Sequence, residues 1–178
     1  TLGQLTDAME ERAFGLMLLI LAIPCCLPFV YLLPQIVAVP MALLVAQMAA
    51  GRSAPWLPEA LRNRRLPVQS FQGVMKRVRK WGGWLERLTH RRLASLTNTL
   101  AARIMGALLV VPCLSILLPL PLTNTVPGIG VAVASAGLIE RDGLFVVAGV
   151  VVALAWVALL LIGGPTLIYL LVDTLLNR

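Results

Sequence analysis

Of the chain's 178 residues, 59 % are apolar and 13 % charged, with fifteen Lys and Arg against eight Asp and Glu. A soluble domain is nearer 45–50 % apolar and about 25 % charged, and one of this size buries only about 70 % of its surface. An ordinary soluble globule, a disordered chain and a disulfide-framed secreted domain are thereby excluded, and a bilayer is the expected solvent.

Three runs hold no Asp, Glu, Lys, Arg or His: Ala13–Gly51, Ile104–Ile139 and Gly143–Val172. The first does not read as a signal peptide, whose apolar core of about 7–15 residues follows a positive flank. It is 39 residues long and follows Asp7, Glu10 and Glu11. Pro34-Gln35 divides it into arms of 21 residues (13–33) and 15 residues (36–50). The second arm is about 23 Å long as a helix, short of the roughly 30 Å hydrocarbon core.

From Arg52 to Arg103 the chain carries twelve basic residues and two acids, a balance of +10, whereas the remaining 126 residues carry three and six, a balance of −3. A nucleic-acid binder would place such a block on a water-soluble frame, so anionic lipid headgroups are the expected counter-charge. The segment opens with Arg52-Ser53-Ala54-Pro55-Trp56-Leu57-Pro58, which reads as a tight interfacial corner. Val74, Val78, Trp81, Leu85 and Leu88 then form one apolar stripe at helical spacing. Lys76, Arg77, Arg79 and Lys80, with Trp81, Trp84 and the corner residue Trp56, mark a basic amphipathic helix lying in the membrane interface. By the positive-inside rule this segment faces the cytoplasm.

The second run divides at Thr123-Asn124-Thr125 into 19 residues (104–122) and 14 residues (126–139). The breakers of the two runs correspond: Gly15 with Gly106 and Pro28 with Pro119 at an offset of 91, Pro34 with Pro127 at 93, Arg52 with Arg141 at 89. With Pro121, these prolines free carbonyls that must find partners in protein or a wet cavity. Paired broken hairpins, re-entrant and related by duplication, fit this pattern; short tilted hairpins in a thin bilayer are the alternative. The third run, split at Gly163-Gly164-Pro165, gives a membrane helix (144–162) and a short tail helix (166–176).

The expected fold is a single membrane domain over 1–178: an all-α integral membrane protein of Pro-broken, re-entrant hairpins in an internal repeat. Its parts are a first hairpin (13–51), a basic interfacial segment (52–103), a second hairpin (104–142) and a C-terminal helix with tail (143–178). No metal or cofactor is expected. Cys25-Cys26 are adjacent rather than spaced as ligands, Cys113 stands alone, and His90, the one histidine, sits among cations. Gly128-Ile129-Gly130 lacks the third glycine of a dinucleotide loop. Polar residues in apolar runs are costly and so are the site candidates. Gln47 and Asn124 either contact an anion or bond carbonyls orphaned by proline. Arg52, Arg103 and Arg141 are the candidate phosphate attractors. Asp142 is a natural N-cap for the next helix, with Arg141 paired to it or reaching for phosphates.

Gln47, Gly51-Arg52, Pro55-Trp56-Leu57-Pro58, Arg92-Leu93, Pro119-Leu120-Pro121, Asn124, Pro127 and Gly137-Leu138-Ile139-Glu140-Arg141-Asp142-Gly143 occur in this order. Together they resemble the ExoD family of bacterial exopolysaccharide synthesis proteins, over roughly Leu5 to Leu171. One departure is Arg91-Arg92-Leu93, where the family's turn is of the Arg-Pro-Arg-Leu type. The resemblance implies a bacterial inner-membrane protein that supports exopolysaccharide production and alkaline tolerance, and it implies no enzymatic activity.

The leading expectation is a carrier or translocator of an anionic lipid-linked substrate such as polyprenyl phosphate. The alternatives are a non-transporting accessory subunit of the synthesis machinery, and a cation or proton pathway, which the absence of any acid inside the three runs weakens. The expected partners are anionic membrane lipid, exopolysaccharide-synthesis proteins and a second copy of the chain as a homodimer, with no nucleic acid.

Overall fold

Leu, Ala and Met are strong helix formers, and in the computed structural model they dominate elements that are all helical. The described residues are 2–9, 11–27, 32–63, 99–118 and 123–176, and they contain no strand. Pro28, Pro119, Pro121 and the interfacial residues Lys76, Arg77, Arg79, Lys80, Trp81 and Trp84 lie outside them.

Helix α1 (Leu2–Met9) leads to α2 (Glu11–Ala22), which tightens into a 3-10 turn, Ile23–Cys26, where Pro24 has no N–H to give. The return helix α3 spans Leu33–Ala49 and is followed by an irregular corner and the short α4, Glu59–Arg62. Helix α5 (Thr99–Ile116) and helix α6 (Thr125–Glu140) form the second hairpin, and α7 runs from Gly143 to Leu176.

The breaks fall differently from the sequence expectation. Pro34 does not interrupt a helix; it lies in the first turn of α3, where a backbone N–H has no helical partner and its loss costs nothing. Pro127 likewise lies in the first turn of α6. The first break therefore precedes Pro34, and α2 with its 3-10 turn and the return helix α3 are nearly equal limbs rather than a long arm and a short one. Pro40 and Pro112, by contrast, sit inside α3 and α5.

The expected split at Gly163-Gly164-Pro165 is absent, because α7 is continuous through it. Pro165 removes the N–H that would meet the Leu161 carbonyl, and in the next residue the Thr166 hydroxyl donates back to the Ile162 carbonyl (3.0 Å).

Helix directions follow from close approaches at glycine. An added Cβ on Gly15 of α2 would stand 2.8 Å from the Ser135 carbonyl and 3.0 Å from Leu138, and one on Gly128 would stand 2.7 Å from Cys25. Helix α2 is therefore antiparallel to α6. Gly106 of α5 approaches Val45, Met48 and Ala49 of α3 in the same way. Each contact made by Gly106 lies 90 residues before its counterpart at Gly15: Val45 and Ser135, Met48 and Leu138, Ala49 and Ile139. Gly130 and Gly149 let α6 and α7 meet backbone to backbone around Ala134 and Ala153. The interior between the helices is filled by Phe14, Leu18, Met41, Val45, Leu109, Ile116 and Val131, all fully buried.

This packing gives the bundle two ends. At the corner end lie the start of α2, the ends of α3 and α6, and the starts of α5 and α7. At the break end lie the 3-10 turn, the start of α3 and the turn before α6. At 1.5 Å per residue, α2, α3, α5 and α6 are only about 18–27 Å long. Gly143–Thr166 of α7 is the one described helix long and apolar enough to cross a membrane, and only 28 % of its most apolar stretch is buried. At the break end the Trp156 indole N–H donates to the Thr123 carbonyl (3.0 Å), and Val157 is the last described buried side chain of α7. The helix then continues for nineteen residues, roughly 29 Å, to Leu176.

Candidate functional site

At the corner end, α3 stops because Gly51 adopts a left-handed conformation (φ 82°). The Arg52 N–H then donates back to the Gln47 carbonyl (3.2 Å), the closing bond of a Schellman motif. Gln47 also uses both ends of its side-chain amide on Trp56. Oε1 accepts the Trp56 N–H at 2.6 Å, and Nε2 donates to the Trp56 carbonyl at 3.4 Å. This pair folds Pro55-Trp56-Leu57-Pro58 back against α3 as the expected corner. Arg103, inside α5 rather than at its start, lies over Gly51. Its Nε donates to the Ala49 carbonyl (3.5 Å), placing a cation on the negative end of α3. A Cβ on Gly51 would stand 2.8 Å from that Nε, a clash the exposed Arg103 side chain can relieve, so it is the positive φ that favours glycine here.

The end of α6 repeats this geometry. Arg141 is left-handed (φ 55°, ψ 38°), and the N–H groups of Arg141 and Asp142 both donate to the Gly137 carbonyl. The left-handed residues Gly51 and Arg141 are 90 apart, as are the bond pairs Gln47–Arg52 and Gly137–Asp142. The Asp142 side chain is 1 % exposed, and its Oδ1 accepts the Leu144 N–H at 2.9 Å, which makes it the N-cap of α7 as expected. Arg52 and Arg141 have exposed side chains.

Asn124 is elsewhere. It precedes α6 at the break end, separated from Arg141 by the roughly 24 Å length of that helix, so one headgroup cannot touch both. Gln47, Arg52, Arg103, Arg141 and Asp142 share the corner end; Asn124 does not join them.

Asn124 stands at the N-cap position, but its backbone is helical (φ −82°, ψ −22°) and its side chain makes no cap bond. The third residue of the helix is Pro127, which has no N–H to offer. The result is a 91 % buried amide whose Oδ1 has no hydrogen-bond partner among the described residues. Gln35, in the first turn of α3 at the same end, has a buried Oε1 in the same condition. Each such atom costs about 1–3 kcal/mol.

Sequence reasoning missed Arg12. Its Nε is buried without a partner among the described residues, three positions before Gly15, just as Arg103 lies three before Gly106. The signal was present, since the 91-residue offset that relates the two glycines also relates the two arginines.

Two cavities flank the corner. One, about 470 Å³, is an apolar groove between α2 and α3 walled by Met17, Ile20, Leu43, Leu44 and Pro40 and closed by Trp56, Leu57 and Pro58. The other, about 510 Å³, is lined by Glu59, Arg62 and Asn63 and shares Trp56 and Leu57 with the first. The cysteines offer no such feature. Cys25 and Cys113 are buried, and the Cys26 thiol donates within its own turn to the Ala22 carbonyl.

Residues 1–162 match the family described as "Exopolysaccharide synthesis, ExoD". The chain is 31 % identical to the Synechocystis sp. protein slr1875 over 98 % of its own length and 86 % of that protein's. It is 28 % identical to Protein ExoD of Rhizobium meliloti over 84 % of its length and 64 % of that protein's. No solved structure matches it. With the match spanning almost the whole helical bundle and the corner, the chain belongs to the ExoD family.

Proposed function

We propose that the protein sits in the bacterial cytoplasmic membrane as a multi-pass component of exopolysaccharide synthesis and carries an anionic lipid-linked intermediate, such as a polyprenyl phosphate, without catalysing a reaction on it. The membrane is supported by the outer surface, where Ile20, Ile36, Leu43, Leu108, Leu114, Leu159, Leu161 and Ile162 are all exposed. In this reading the corner end, joined to the +10 segment, faces the cytoplasm. Helices α2/α3 and α5/α6 enter the bilayer and turn back before crossing it, while α7 crosses alone. The matching ends of α3 and α6, 90 residues apart, support an internal repeat of the two hairpins. Interrupted helices in corresponding positions are the architecture from which transporter sites are built.

The observation that carries the carrier reading is the buried Asn124 Oδ1, which has no hydrogen-bond partner among the described residues. It lies level with Trp156, thirteen residues and so about 20 Å below the start of α7. An unmet polar group at that depth is expensive unless a ligand or water meets it. The test is movement of polyprenyl phosphate across vesicles reconstituted with the full chain, read by its accessibility to an external phosphatase. Wild-type protein should accelerate it, and Asn124→Leu should slow it about tenfold, equivalent to one lost hydrogen bond to a charged group. Flux no greater than in protein-free vesicles sinks the proposal.

A second reading, an anchoring subunit that docks a polymer-synthesis enzyme, is favoured by the duties of Gln47, Arg103 and Asp142. Each closes a helix end or corner. Stoichiometric co-purification with such an enzyme, together with absence of flux, would favour it.

A further inference from the structure

We infer that the two cavities beside Trp56 are one binding site for an anionic membrane lipid, with a hydrocarbon chain in the α2/α3 groove and its phosphate in the cavity of Arg62 and Asn63. This rests on the reading of the chain as a lipid carrier and names where the lipid docks.

The shape of the site is that of an amphiphile. The groove is lined almost entirely by apolar side chains, and Ile20, Leu43 and Trp56 are 51, 60 and 59 % exposed into or beside it. At roughly 30 Å³ per chain carbon, the share of one water in the liquid, it holds on the order of fifteen carbons. Across the Trp56-Leu57 wall the lining changes to a guanidinium, an amide and one carboxylate. An apolar chain and a phosphate joined by a few bonds would occupy both cavities at once, with the indole at the boundary, where tryptophan is enriched in membrane proteins.

The charge also selects the occupant. Arg62 lines the polar cavity beside Glu59, and the exposed Arg52 and Arg103 lie at the same corner, three cations to one carboxylate. Such a surface favours anionic over zwitterionic headgroups. The wall itself is fixed by Gln47, whose amide holds Trp56 through both its N–H and its carbonyl. Gln47 is thus a positioning residue: it does not meet the phosphate but sets the divider between chain and headgroup.

The experiment uses the full chain in vesicles containing phosphatidylglycerol with a diazirine near the middle of one acyl chain, and cross-linked peptides are mapped by mass spectrometry. Labelling should concentrate on Met17–Leu21 and Leu43–Gln47. Leu43→Trp, which fills the groove from an exposed position, should cut it about tenfold, and Ile20→Trp on the facing wall should do the same with helical circular dichroism unchanged. Arg62→Gln should reduce the preference for phosphatidylglycerol over phosphatidylcholine severalfold while leaving phosphatidylcholine labelling unchanged.

Labelling spread over the whole apolar exterior and indifferent to Leu43→Trp overturns the inference, since the lipid is then only annular. A high-yield disulfide between Leu43→Cys and Trp81→Cys also overturns it, because the chain's own basic segment then fills the groove. So does a Leu43→Cys disulfide between two copies, which would assign the face to a dimer. Groove labelling without transbilayer flux leaves the site standing and removes the carrier reading. Flux without groove labelling does the reverse.

Discussion

Arg141 separates two readings of the corner end, because its backbone and its charge make opposite predictions. It is the one described non-glycine residue with positive φ, at 55°. A left-handed conformation costs a residue with Cβ about 1–2 kcal/mol, and glycine avoids the clash. The matching position at the end of α3 is already glycine, Gly51. Arg141→Gly keeps both N–H bonds to the Gly137 carbonyl and removes only an exposed side chain. Allowing for the greater freedom of glycine in the unfolded chain, the variant should gain about 0.5–1 kcal/mol. For a chain of this size that is a rise of roughly 1–4 °C in Tm, measured by circular dichroism of detergent-solubilised protein. If Arg141 serves only as a helix end, lipid binding and flux are unchanged while Tm rises. If it attracts phosphate, Tm rises and binding of phosphatidylglycerol falls. A Tm that falls refutes the reasoning, since the side chain would then contribute more than the strain it imposes.

The other variants test packing and capping. Asp142→Ala removes the acceptor of the Leu144 N–H and should cost about 0.5–2 kcal/mol, lowering Tm by several degrees in the same melt. Gly149→Ala places a Cβ against the backbone of Gly130 and Ala134 and should cost about 1–3 kcal/mol by forcing α6 and α7 apart. Gly163→Ala, where no atom lies within 4 Å, should instead be neutral or stabilising by up to about 1 kcal/mol; equal effects at the two glycines would contradict the assigned packing. Asn124→Leu should raise Tm by relieving an unsatisfied buried oxygen worth about 1–3 kcal/mol while lowering carrier flux; a fall in Tm would mean that the amide has a structural partner.

Much of the helical plan can be read from residue types alone, and the places where that reading slips share one cause. Proline has no N–H, which breaks a helix in its interior but is harmless in its first turn. The letter does not say which applies. Pro34 and Pro127 therefore read as interruptions although they open α3 and α6, while Pro40 and Pro112 lie within helices. Gly163-Gly164-Pro165 has the composition of a stop, yet α7 passes through it. The corner from Arg52 to Pro58 and the Asp142 cap were legible because both depend on local chemistry: two prolines in the corner, and a short acceptor before an apolar helix. Gln47 was legible as polar and misplaced, but its partner is nine residues away and is a backbone group, which no side-chain pattern announces. Arg12 was hidden by Glu10 and Glu11, which make its neighbourhood look like a solvated flank.

The hairpins match most closely in the features that set backbone geometry and differ in the groups that carry polarity. Glycine approaches, left-handed ends and Schellman bonds recur at offsets of 90 or 91. The cations Arg12 and Arg103 recur too, but Arg103 reaches a helix-end carbonyl and the Nε of Arg12 reaches none among the described residues. At the break end both return helices begin with a buried amide oxygen that has no partner among the described residues, yet Gln35 is the third residue of α3 whereas Asn124 precedes α6. Unpaired groups of this kind cost about 1–3 kcal/mol each, and apolar replacements of similar shape are nearly neutral or stabilising. In the carrier we propose, a polar ligand or water entering between the hairpins meets these oxygens, and the corner cavities lie at the other end of the same helices. In the proposed carrier, lipid docking at Trp56 and passage past Asn124 are two separable steps. Leu43→Trp blocks the first and Asn124→Leu the second, so a variant that binds lipid without moving it should arise only at the break end.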